Sequence, residues 1–237
     1  MTAPQGFDAD APPKFYGRRK GHPLRARAEM LVADLLPAVA VAGPPTDGLD
    51  PAALFAGAVD EVWLEIGFGK GEHLAEQAKA NPRAGIIGAE PFLNGVAGLL
   101  DEIDSRNLGN VRIFAEDVRR LLPTLPDASI GRVFLLFPDP WPKKRHHKRR
   151  FIQPDNLDEL ARVLKDGAEF RFATDHMGYA GWGLRHMMNH AAFEWLAERP
   201  ADWRNQPVDW HPTRYETKAL EDGKSCAYLR FRRRHRP

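Results

Sequence analysis

The 237-residue sequence predicts an α/β protein built on a doubly wound, mostly parallel sheet. Three observations lead there. Short apolar runs alternate with segments of helical spacing, the pattern of strands joined by crossover helices. The first of these runs ends in a glycine-rich turn, Gly67-Phe68-Gly69-Lys70-Gly71. A later run, Arg132-Val133-Phe134-Leu135-Leu136-Phe137, empties directly into the rigid turn Pro138-Asp139-Pro140-Trp141-Pro142. Strand ends in open α/β sheets are where ligands bind.

Taken in order, residues 1–13, rich in Pro, Ala and Asp, read as a disordered tail, and residues 14–237 as one domain with a basic N-terminal arm. Leu24, Ala28, Leu31 and Leu35 recur at helical spacing over 24–36, and Pro37 is expected to end that helix. The Gly-Pro-Pro-Thr-Asp-Gly stretch at 43–48 reads as a loop. Strands are then expected at 61–66, 85–90, 111–115 and 132–137, separated by helices at 72–80, 93–103 and, briefly, 118–122. A helix at 156–164, a strand at 169–173 and a helix at 179–189 follow. Residues 193–222 read as irregular, and 225–232 as the final strand.

Composition, with 43% hydrophobic and 28% charged residues, is that of a globular protein able to bury a core without disulfides. The lone Cys226 cannot form an internal bridge, which suits a reducing compartment, and it reads as a small buried strand residue. No apolar run approaches the roughly 18 residues of a membrane span, and residues 1–10 lack a signal-peptide core, so a cytoplasmic location is expected, with no membrane and no obligatory protein partner. No His/Cys cluster has metal-ligand spacing, so no metal is expected.

The net charge of +2 conceals an asymmetry. Residues 14–27, 143–150 and 230–237 contain no acid and hold 17 of the 34 Lys and Arg, so the rest of the chain sets 17 basic residues against 32 acids. Converging in space, the three segments would form one positive stripe able to neutralise several phosphates. The middle segment, eight consecutive basic residues from Lys143 to Arg150 counting both histidines, follows the Pro138–Pro142 turn directly. An all-basic loop is an electrostatic handle for phosphate backbones. This juxtaposition points to an enzyme acting on nucleic acid.

The strand ends carry the chemistry. Gly67 and Gly69 allow a sharp turn and close approach of a ligand, but the G-x-G-x-G spacing differs from the dinucleotide fingerprint and is preceded by Glu65. A carboxylate there disfavours a pyrophosphate and suits a cationic aminoacyl sulfonium. Glu90, 23 residues past Gly67, stands where an acid binds both ribose hydroxyls. At the third strand end, Asp117 could accept a hydrogen bond from an adenine amino group. Each acid alone could be a helix cap or N-terminal charge; three at successive strand ends are better explained by one ligand, S-adenosylmethionine.

With these residues in place, the chain resembles the bacterial tRNA (guanine-N7)-methyltransferase family from about Lys14 to Arg232. The matching elements are Glu65 to Gly71, Gly88-Ala89-Glu90, Pro138-Asp139-Pro140-Trp141-Pro142-Lys143 with the basic run to Arg150, Ala173-Thr174-Asp175, and Thr213-Arg214-Tyr215-Glu216. The resemblance implies a Rossmann-like class I methyltransferase fold whose mostly parallel sheet ends in a C-terminal antiparallel strand. It implies S-adenosylmethionine as methyl donor, contacted by Glu65, Glu90, Asp117 and Asp139 beside the Gly67 and Gly69 turn. It also implies the variable-loop guanine of tRNA, position 46 in standard numbering, as target. Lys143, Asp175, Thr213, Arg214, Tyr215 and Glu216 would contact the RNA substrate.

Guanine N7 has an in-plane lone pair and no proton, so its methylation needs alignment and charge stabilisation more than a base. Asp139, its backbone restricted by a proline on each side, is the candidate catalytic carboxylate, the plainer alternative being a turn aspartate. Trp141 could stack on a base or cap the core. Arg145, His146, Lys148, Arg149 and Arg150 are expected to meet the RNA backbone. A buried Glu216 could accept from guanine N1–H and N2–H; its plainer alternative is a loop acid paired with Lys218 or Arg214. Two other functions fit less well. An amino-group methyltransferase acting on adenine or cytosine places its acid before the two prolines rather than between them. A non-catalytic RNA-binding module has no need of Glu65, Glu90 and Asp117.

Overall fold

The computed structural model describes residues 15–42 and 49–236, so the expectations for the 1–13 tail and the 43–48 loop lie outside the described residues. The elements in chain order are α1 Ala26–Asp34, α2 Leu36–Val39, β1 Glu61–Ile66, α3 Glu72–Ala80, β2 Ala84–Ala89, α4 Leu93–Arg106, β3 Val111–Phe114 and β4 Ile130–Leu136. They continue with α5 Pro154–Val163, β5 Leu164–Thr174, α6 Met177–Asn189, β6 Phe193–Trp195, α7 Ala201–Arg204, α8 Arg214–Glu221 and β7 Ala227–Arg233. The seven strands form one sheet in the order β3-β2-β1-β4-β5-β7-β6. β1 to β5 are mutually parallel, and β7 runs antiparallel to both β5 and β6.

Side chains alternate across a strand, so each parallel strand feeds two cores. Val62, Leu64 and Ile66 of β1 pack with Leu157, Leu160 and Val163 of α5 and with Tyr179 and Met187 of α6. Trp63 packs on the opposite face with Leu31 of α1, Leu74 and Ala78 of α3, and Leu99 and Leu100 of α4. The sheet is therefore sandwiched between two helical layers. Cys226 is buried beside β7. Among the described residues no helix is long and apolar enough to cross a membrane.

Several expectations are corrected. Pro37 does not end helical structure; it occupies the first turn of α2, where its missing N–H costs nothing. The expected helix at 118–122 is a pair of 3-10 turns, Val118–Arg120 and Leu122–Thr124. β5 begins at Leu164, directly after α5, rather than at residue 169. Residues 193–222, read as irregular, contain β6, α7 and α8. The basic run is no open loop either: Lys144–Arg149 is a 3-10 helix.

Candidate active site

A cavity of about 630 Å³ opens at the C-terminal ends of β1, β2, β3 and β4, lined by Gly67, Gly69, Glu90, Asp117, Asp139 and Trp141 and closed from outside the sheet by Tyr16 and Tyr215. The fold thus brings together acids that lie far apart in the chain. Gly67 and Gly69 have φ of 70° and 60°, a conformation that disfavours any residue with a Cβ. α4 is drawn tight against this turn. A Cβ on Gly95 would lie 2.2 Å from the Gly69 carbonyl oxygen.

Glu90 follows β2 and turns back to the glycine loop. Its carboxylate accepts from the main-chain N–H of Gly69 and of Phe92, each at 3.0 Å. Burial pushes its pKa up, and the negative charge of Asp139 adds to the rise, while the two N–H groups oppose it. Burial likewise raises Asp139. Two carboxylates that repel each other and are short of solvent face one cavity, an arrangement that favours a cationic occupant.

The turn carrying Asp139 is held in an unusual shape. Phe137 and Trp141, on either side of it, both adopt left-handed backbone with φ of 48° and 42°. Such conformations cost about 1–3 kcal/mol each in non-glycine residues and persist only where surrounding contacts enforce them. Arg150 is one such contact: it is buried, its Nε donates to the Pro140 carbonyl at 2.9 Å, and its guanidinium lies over the rings of Tyr179 and Trp182. Arg150 therefore braces the turn and is not placed to meet an RNA backbone, which corrects the expectation for it.

Asp117 caps the following 3-10 turn, accepting from the Arg119 main-chain N–H at 3.0 Å and from its guanidinium. Its carboxylate lines the cavity with an orientation fixed by Arg119. Glu65 is the clear departure. In β1 it alternates with Leu64 and Ile66, so it points to the opposite sheet face, where its Oε2 pairs with His73 Nδ1 at 2.7 Å. At 2% exposure it does not line the cavity, so a direct ligand contact is not what the structure shows. The alternation in β1 sets Glu65 on the face of Glu61 and Trp63, away from Val62, Leu64 and Ile66, a signal that the nearness of Glu65 to the glycine-rich turn had overridden.

The expected RNA-facing residues divide. Lys143, Arg145 and Lys148 are exposed. His146 sits edge-on to Trp141 at 5.9 Å. Arg149 is instead clamped, its guanidinium 4.7 Å from the Tyr16 ring and 4.8 Å from Trp141. Tyr16 escaped the sequence analysis, although Phe15 and Tyr16 stand directly before a basic cluster, a pattern typical of nucleic-acid contacts. Asp175 pairs with Lys224 at 2.9 Å. Arg214 lies over Tyr215 at 5.2 Å. Thr213 caps α8 by accepting from the Glu216 N–H at 3.1 Å.

Glu216 is fully buried. Its Oε1 accepts from Gln206 at 2.6 Å and from the Tyr228 hydroxyl at 2.5 Å. Its Oε2 accepts from the Trp210 indole at 2.7 Å and the Thr213 N–H at 3.3 Å. An ionised carboxylate offers about four lone-pair sites, and all are filled. No acceptor remains for guanine N1–H and N2–H, so Glu216 is not the base reader expected of it.

A family model described as "Putative methyltransferase" matches residues 60–229. The chain is 54% identical over 229 residues to the tRNA (guanine-N(7)-)-methyltransferase of Rhodospirillum rubrum, covering 94% of this chain and 89% of that one. It is 53% identical over 236 residues to the enzyme of the same name from Paramagnetospirillum magneticum, covering 99% and 98%. Among solved structures, it superposes with a TM-score of 0.53 at 16% identity on a variant of the 16S rRNA (adenine(1408)-N(1))-methyltransferase from Catenulisporales acidiphilia with cosubstrate SAM, covering 82% of this chain and 96% of that one. At that identity the likeness concerns the fold, which is the Rossmann-like class I methyltransferase fold with its antiparallel seventh strand.

Proposed function

The chain belongs to the tRNA (guanine-N7)-methyltransferase family, and from that premise we propose that it transfers a methyl group from S-adenosylmethionine to N7 of the variable-loop guanine, position 46, of tRNA. The observation that carries the reading is the pair of cavity carboxylates, Glu90 and Asp139, both raised by burial and Glu90 further by Asp139. A sulfonium donor and an N7-alkylated purine are both cations, and each would relieve that unfavourable charge. The residues present fit the donor: a cavity of about 630 Å³ with a side-chain-free turn at Gly67 and Gly69, an acid at the β2 end, and an oriented acid at the β3 end.

Within this reading Glu90 accepts from the ribose hydroxyls with lone pairs not used by Gly69 and Phe92, and Asp117, oriented by Arg119, stands at the adenine end. The donor supplies an electrophilic methyl carbon and retains the electron pair of the broken bond on sulfur. Asp139, in a turn braced by Arg150, offers negative charge where the purine becomes cationic. No proton has to be removed from N7, so Asp139 acts electrostatically. Trp141 and Tyr215 are the aromatic surfaces at the cavity against which a flipped guanine can stack.

The test is to incubate the protein with unmodified tRNA and labelled donor, digest the product, and identify the nucleoside by mass spectrometry. 7-Methylguanosine mapped to the variable loop is expected. Methylated adenosine or cytidine would favour the amino-group alternative, and label at another guanine would overturn the assigned position.

A further inference from the structure

The hydrogen bonds of Glu216 join three separate parts of the chain. Gln206 and Trp210 come from the segment before α8, Thr213 is the cap of α8, and Tyr228 belongs to β7. Glu216 and Thr213 also form a reciprocal capping box, which fixes the direction in which α8 starts. Tyr215 sits between these two residues. Thr213 and Glu216 are buried, yet Tyr215 is half exposed, and its ring is carried to the glycine-rich turn, where its Cε2 would lie 3.2 Å from a Cβ on Gly69. It lines the donor cavity from outside the sheet.

We propose that Glu216 is a positioning residue whose buried carboxylate sets the first turn of α8 so that Tyr215 walls the donor cavity over Gly69. The inference rests on the donor-site reading above and deepens it. It assigns to α8 a role in holding the methyl donor, with base selection left to other groups. A carboxylate is suited to the task because four donors converge on it. A glutamine would place an N–H among N–H and O–H groups and leave at least one buried donor without an acceptor.

The experiment measures binding of S-adenosylmethionine and S-adenosylhomocysteine by calorimetry, without RNA, for wild type, Tyr215→Ala, Glu216→Gln and the double variant. Gln206→Ala, at an exposed position, and Tyr228→Phe each remove one donor to Glu216 and carry the test where Glu216→Gln does not fold. Tyr215→Ala is expected to weaken donor binding about five- to tenfold, the scale of one aromatic contact. The Glu216, Gln206 and Tyr228 variants should lose affinity in the same sense, and Glu216→Gln or Gln206→Ala should add nothing once Tyr215 is alanine. The second readout is the ratio of methylation rates for tRNA carrying guanosine or inosine at the target, which should stay at the wild-type value in the Gln206 and Glu216 variants.

Folded variants that melt earlier but bind donor like wild type would reduce Glu216 to a structural residue and overturn the proposal. Additive losses in the double variant would do the same. A changed guanosine-to-inosine ratio would restore Glu216 as a base reader. Wild-type protein that binds no donor would fail the reading of the site itself, a result distinct from all of these.

Discussion

Asp139 and Glu90 show how far a residue's role is fixed by its surroundings. Burial raises the pKa of Asp139, so the folded protein holds its proton more tightly than the unfolded chain. The sign follows: the contribution of this group to stability is present below its unfolded pKa and is lost as pH rises through the raised folded value. Above that value its charge costs stability, a cost that the proposed electrostatic role accounts for. Asp139→Asn should therefore melt no lower than wild type at pH 7, with the difference closing in acid, while single-turnover methylation falls by about 10²–10³, the scale for one lost electrostatic stabiliser. A lower melting temperature together with an unchanged rate would make Asp139 a turn residue. For Glu90→Ala, donor affinity should fall by about 10- to 150-fold, the loss of a charge-assisted hydrogen bond. Wild-type affinity should itself decline as pH drops through the raised Glu90 pKa, above the ordinary carboxylate range, in a calorimetric pH series. The place of these two residues at the cavity was legible because acids just past parallel strand ends stand beside the crevice of an open α/β sheet. The partners of Glu65, Arg150 and Glu216 were not, because they are set by the fold: His73 across a turn, Pro140 ten residues back, and donors drawn from Gln206 to Tyr228.

The elements read most accurately are those whose periodicity alone decides them. β1 and α3 fall at 61–66 and 72–80, where the apolar run and the helical spacing placed them. α7, α8 and β6 went unseen because they are short, and α8 is held by the capping box and buried hydrogen bonds of Glu216 more than by an apolar stripe. The same distinction governs α4. Alanine is ordinarily better than glycine inside a helix by about 1 kcal/mol, so Gly181→Ala in α6, where a Cβ meets nothing within 4 Å, should raise the melting temperature by about 2–4 °C. Gly95→Ala in α4 should do the reverse. Its Cβ would collide with the Gly69 carbonyl, a backbone atom that cannot turn aside, and α4 would be pushed off the glycine-rich turn. Reduced melting temperature and weaker donor binding are expected together, by scanning calorimetry and titration. Gly95→Ala protein with wild-type donor affinity would show that this contact does not shape the donor site.

Across the whole molecule the three basic segments do not form one stripe. The first two meet: the arm at Tyr16 reaches Arg149 beside the cavity, and its root is tied to α4 by Gly21 N–H donating to Asn94 at 2.8 Å and by Asn94 donating to His22. The third lies elsewhere. β7 pairs Ala227 with Thr174 at the cavity end of β5 and Arg232 with Glu169 five residues back, so Arg230 to Arg236 run toward the far end of the sheet. There Arg230 pairs with Glu169 and Arg236 with Asp166, already neutralised by the protein's own acids. On the proposed reading, the charge left for RNA is narrower than the sequence suggests: the arm together with the exposed cations of the 3-10 helix beyond Asp139. Replacing Lys144, Arg145 and Lys148 with glutamine should weaken binding of all tRNAs alike, and each lost phosphate contact should lower the log–log salt slope by roughly 0.7–0.9. Arg232→Gln, exposed and only 3.9 Å from Glu194 at its nearest approach, should leave both affinity and slope at wild-type values. Arg150→Gln should act differently again, lowering turnover and stability through the Pro138–Pro140 turn without changing the slope. A triple glutamine variant with an undiminished slope would leave the RNA contacts to the arm alone, and an Arg232 variant with a reduced slope would place the RNA path across the far end of the sheet, away from the Asp139 turn.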